Sequence, residues 1–156
     1  MSQYRPLSAS GKDWVFLREE PFVSADDRAS IQLLTETAGA NIWRDYVSDT
    51  YLYPDLFDKE VWLKTNVQAD VDWEKRWESD VPEMPEEALE FCGQWGDDTR
   101  IYFCCHSDLV LETTWSVFCR NWKAFLFLDS DGVLIGRKKK QALQFKENGR
   151  LSLLVR

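Results

Sequence analysis

The chain has 156 residues, of which 44% are hydrophobic and 29% charged, with a formal net charge of −8. That is enough chain for one domain to bury roughly two-thirds of its unfolded surface without a metal or disulfide staple, and a 14% aromatic content with 8 Trp excludes a disordered chain. No apolar run approaches the ~18 residues of a membrane-spanning helix, and an overall acidic chain lacks the clustered cations that generic nucleic-acid binding needs.

Met1 to Arg5 is polar, without the apolar core of a secretory signal, which points to a cytoplasmic protein. Pro6 and the Ser8–Gly11 stretch read as an extended lead-in. Trp14 and Phe16 alternate onto one face and predict a short strand that Pro21 ends. Ser24 reads as the N-cap of a short helix with Asp26 and Asp27 at its positive end, and Ile31 and Leu34 continue the apolar face. Ala38, Ile42, Trp43, Tyr46 and Val47 recur at three-to-four spacing and predict a helix from about Glu36 to Val47. Pro54 can open a further helical turn, and Val61, Trp62 and Val67 predict a short helix and loop over the core. Asp70 to Ser79 reads as a helix with Trp73 and Trp77 on one face. Pro82 and Pro85 frame an acidic loop before a helix from Glu86 to Trp95, and Gly96–Asp98 breaks it.

After Thr99 the period becomes strand-like. Ile101–Cys105 and Leu109–Thr114 predict a hairpin closed at Ser107–Asp108. Trp115, Phe118, Cys119 and Trp122 share one helical face, and Ala124–Leu128 reads as a buried strand. Asp129–Gly132 is a turn, followed by strands at Val133–Gly136, Gln141–Phe145 and Leu151–Val155, the last two joined by an Asn148–Gly149 turn of the kind that matches strand twist. The expected fold is therefore α+β, residues 1–156 forming one domain. Residues 1–99, mostly helical and acidic, pack on an antiparallel meander formed by residues 100–156, a single pair of layers. The charge follows the same division. Residues 1–99 carry 22 acidic and 9 basic side chains, a balance of −13, against 5 and 10 in residues 100–156, a balance of +5.

Four constellations carry chemistry, each beside a plainer reading. Cys104, Cys105 and His106 (the only histidine) suggest a thiol–imidazole pair, because Cys104 and His106 share a strand face. The plainer reading is two small buried thiols and a strand-end histidine. Adjacent Cys104 and Cys105 face opposite ways, no Cys-x-x-Cys joins them to Cys92 or Cys119, and neither a metal nor a cofactor is expected. Asp129–Gly132 resembles the opening of a calcium loop but lacks the closing Glu, and a plain turn suffices. Arg137, Lys138, Lys139 and Lys140 can grip phosphate or an acidic partner, or can guard a sheet edge from pairing with another chain. Tyr51, Tyr53, Trp62, Trp73, Trp77 and Trp95 lie among acidic residues, a composition that suits protein recognition, or are core.

The residues Glu112–Thr113–Thr114–Trp115, Phe118, Trp122, Phe125–Leu126–Phe127 and Ile135–Gly136–Arg137–Lys138 resemble an uncharacterised bacterial family, domain of unknown function 2947, similar to cargo of mobile gene cassettes. The resemblance implies a bacterial cytoplasmic protein and assigns no activity or functional residue. The reading carried forward is a small non-enzymatic protein that binds another protein, in one variant an acidic inhibitor or immunity-type protein. Its candidate binding residues are Arg137, Lys138, Lys139, Lys140, Trp73 and Trp77. The alternatives are an enzyme using Cys104 and His106, and a nucleic-acid binder using Arg137–Lys140.

Overall fold

The apolar strands beyond residue 99 form the centre of one eight-stranded sheet in the computed structural model, which describes residues 3–156. The strands are β1 (Tyr4–Arg5), β2 (Gln32–Leu34), β3 (Val67–Asp72), β4 (Arg100–His106), β5 (Leu109–Thr114), β6 (Val133–Gly136), β7 (Gln141–Phe145) and β8 (Arg150–Val155). Their order is β1-β2-β5-β4-β6-β7-β8-β3 and every pairing is antiparallel. The helices are α1 (Ala25–Ala29), α2 (Glu36–Tyr46), α3 (Trp62–Thr65), α4 (Glu74–Glu78), α5 (Glu86–Phe91) and α6 (Trp115–Leu128). The fold is α+β, and none of these helices is long and apolar enough to cross a membrane.

The N-terminal part is more than a helical layer. It supplies both edges of the sheet, β1 with β2 beside β5, and β3 beside β8. The sheet is also covered on both faces, so the single layer pair expected from sequence is corrected to three layers. Ile101, Phe103, Cys105, Leu134, Leu143 and Phe145 face α6, while Tyr102, Cys104, Val133, Ile135 and Ala142 lie in a second cluster with Trp43, Phe57 and Leu63. Two buried faces explain why the central strands read as unbroken apolar runs.

Four local expectations are corrected. Trp14–Phe16 is a 3-10 turn, with Val15 and Phe16 both buried and the Phe16 ring 5.0 Å from Phe125. Ile31 and Leu34 do not extend α1, because Gln32–Leu34 leaves it to pair with β5. Asp70 to Ser79 divides into β3, held by β8, and the short α4, where Asp72 Oδ1 accepts the Lys75 N–H at 2.9 Å. Ala124–Leu128 is the second half of α6 and not a strand. The helix kinks at Asn121 (φ −125°, ψ 16°), whose side-chain amide donates to the Val117 carbonyl at 2.8 Å and covers an acceptor there.

A candidate recognition groove around Phe22

Residues 17–24 cross the outer side of α6. Val23 is buried at 1% exposure, so its neighbour Phe22 is turned outward and is 71% exposed. The Ser24 hydroxyl then accepts the Asp27 N–H at 3.0 Å and starts α1. Asp27 accepts from Arg120 at 2.8 and 3.1 Å and from Asn121 at 2.9 Å, which fixes α1 to the kink of α6. The Arg120 hydrogen bonds hold the Asp27 carboxyl below the usual carboxylate range.

Phe22 therefore stands between two hollows that share Pro82, Arg120 and Asn121 in their walls. One, of about 730 Å³, runs past Asp26, Glu83 and Cys119. The other, of about 660 Å³, runs past Glu19, Glu20, Trp77, Asp80 and Phe127. Glu19, Glu20, Asp26, Glu78, Asp80 and Glu83 are exposed, and none of them enters an ion pair among the described residues. The two cations in the walls already have partners within them. Arg120 is paired with Asp27, and Lys123 Nζ donates to the Ser79 carbonyl at 2.8 Å. Partial burial lowers the Lys123 pKa. The groove is thus an apolar projection inside a ring of free carboxylates.

Of the residues singled out from sequence, Trp77 lines this groove. Its N–H is held by the Lys123 carbonyl at 3.0 Å and its ring lies 5.2 Å from Phe127. Trp73 is core, 7% exposed against Phe145, and its N–H donates to Lys146. Trp95 is buried as well. Phe22, the most exposed large apolar side chain among the described residues, escaped sequence reading, because an isolated Phe beside Pro21 belongs to no period. The one available signal was the pair Glu19–Glu20, separated from it only by Pro21.

Arg137–Lys140 forms the turn between β6 and β7, away from the groove. Both strands are paired on both sides, so the expectation that this run guards a sheet edge is corrected; the edges are β1 and β3. At the opposite end of β4, the register slips between Cys104 and His106, which breaks the alternation that would align them. Cys104 has no exposure, and burial pushes its thiol well above the ordinary range, leaving no path from a thiolate to a substrate. Cys104 and Cys105 lie in the cores of opposite sheet faces.

A family model described as "Protein of unknown function (DUF2947)" matches residues 4–153. No curated protein and no solved structure matches the chain.

Proposed function

We propose that this chain, which belongs to the DUF2947 family, is a non-enzymatic binding protein whose groove around Phe22 engages a basic, partly apolar segment of another protein. The observation that carries this reading is Phe22, 71% exposed within a ring of unpaired carboxylates. Burying a Phe side chain is worth about 1.5–3 kcal/mol, so one left in water beside two hollows is an anchor that awaits a partner. The surrounding carboxylates select the sign of that partner and speed its approach. An inhibitor that masks a basic surface is the form of this role that the acidic balance of residues 1–99 supports.

Paired affinity capture tests the reading. Wild-type and Phe22→Ala chains are immobilised, and lysate from the source cells is passed over each. The expected result is a protein retained by wild type, lost from the variant and released by salt. The retained protein then binds the purified chain at least about tenfold more weakly when Phe22 is truncated, the scale of a recognition anchor. Equal retention by both chains would remove the groove from the reading.

A further inference from the structure

We propose that the face of the sheet beside the β6–β7 turn is a binding site for a small phosphate-bearing ligand, held by Arg137 and Arg156 with the tyrosines beneath them. The register places this surface. Tyr102 pairs with Glu112 on one side and Ile135 on the other, so these residues share a face. Arg100 lies two residues back along β4 on the same face, and Arg137, the first residue after β6, donates its N–H to the Arg100 carbonyl at 2.9 Å and sets its charge beside Tyr102. Arg156 follows β8 directly, its N–H on the Lys140 carbonyl at 2.7 Å, with one arm of its guanidinium on the Lys139 carbonyl and the group 4.7 Å from the centre of the Tyr46 ring. The Tyr46 and Tyr102 rings are 5.9 Å apart.

The charges on this face do not cancel. Glu112, 7% exposed, accepts from Arg100 at 2.5 and 3.0 Å and from the Tyr4 hydroxyl at 3.1 Å, so its carboxylate is spent on those groups. Arg137, Lys138, Lys139, Lys140 and Arg156 enter no ion pair among the described residues. The turn that gathers them has Lys138 in the left-handed region at φ 61°, and it is closed by the Lys139 N–H on the Gly136 carbonyl at 3.0 Å. Because β6 and β7 are interior strands, this run of cations has no edge to protect.

An arginine fork beside further cations matches the oxygens of a phosphate better than a single carboxylate, which would leave most of the positive charge unanswered. The charge of Arg137 reaches the buried Tyr102, whose phenol burial keeps protonated by pushing its pKa up to about 12. Glu112 fixes Arg100 as a rigid wall of the site.

Titration calorimetry of the full chain with sodium pyrophosphate, and separately with a nucleoside diphosphate, at constant ionic strength tests this. The expected result is saturable one-to-one binding of pyrophosphate with Kd below about 1 mM, weakened at least about tenfold by Arg137→Gln and by Arg156→Gln. Lys146→Gln, at another cation of the molecule, leaves binding unchanged. Tighter binding of the diphosphate assigns the ligand to the nucleotides, and equal binding assigns it to free phosphate; both support the site. Absence of binding at millimolar pyrophosphate overturns the proposal, as does binding indifferent to Arg137→Gln. A single-stranded oligonucleotide that binds here without competition from pyrophosphate overturns it in favour of a nucleic-acid surface. Each variant's thermal melt accompanies its titration, and Arg137→Lys, which keeps the charge without the fork, gives intermediate affinity if the guanidinium geometry matters.

Discussion

Trp122 has no exposure, and its indole N–H donates to the Pro82 carbonyl at 2.9 Å, tying the acidic loop to the underside of α6. Trp122→Ala is expected to cost about 3–5 kcal/mol, the scale for truncating a buried large aromatic, measured as a shift in the urea midpoint at unchanged slope. Gly136 is constrained in the opposite sense, since a Cβ there would lie 2.7 Å from the Trp95 ring. Gly136→Ala therefore displaces Trp95 and is expected to lose about 1–3 kcal/mol by the same measurement. The core role of Trp122 was legible, because Trp115, Phe118 and Trp122 repeat at helical spacing. The exposure of Phe22 was not. Which of Phe22 and Val23 turns inward depends on what α6 offers beneath them, and no local pattern records that.

Helix α1 illustrates what an element needs beyond its own residues. It spans only Ala25–Ala29, too short to stand in water by propensity, and it is held by its Ser24 cap and by Asp27 on Arg120 and Asn121. The Asp27 pKa is lowered in the folded protein, so the unfolded chain binds that proton more tightly and protons favour unfolding. The stabilisation is complete above the ordinary carboxylate pKa and is lost as pH falls through the lower folded value. Asp27→Asn should therefore lower the melting temperature at pH 7, with the gap to wild type closing in strong acid; a gap independent of pH would refute this. Helix α6 shows the limits of pattern. Its first half was legible as a helix, but past the kink at Asn121 the run Ala124–Phe125–Leu126–Phe127–Leu128 is apolar at every position. An unbroken apolar run has no period, and only its burial between β4 and the Trp14–Phe16 turn makes it a helix.

At the scale of the whole molecule, charge and topology set the behaviour. The triple variant Lys138→Gln, Lys139→Gln, Lys140→Gln should scatter light no more than wild type, because the turn joins interior strands and exposes no unpaired edge. Aggregation of that variant would show that the run protects the sheet after all. The groove carries the reverse charge. Exposed charges are screened beyond about 8 Å at physiological ionic strength, so the captured partner's association rate should fall steeply with salt. Glu19→Gln with Glu20→Gln should reduce that rate in stopped-flow measurements while the melting temperature is unchanged.

The sequence by itself determined the α+β class, helix α2, the β4–β5 and β7–β8 hairpins and the acidic balance of the first 99 residues, whereas the expected primed turn at Asn148–Gly149 is replaced by one centred on Glu147–Asn148, closed by the Gly149 N–H on the Lys146 carbonyl at 3.0 Å. These are short-range properties, written in spacings of two to four residues, in turn-forming glycines and in charge counts. The tertiary structure decided that β1, β2 and β3 complete the sheet, that both its faces are covered, that α6 continues past Asn121 and that Phe22 stands in water between two acidic hollows. Those outcomes rest on pairings such as Gln32 with Glu112 and Val71 with Leu151. Partners so distant along the chain leave no mark on the local period of either segment, and their selection comes from the shared burial that only the assembled core provides.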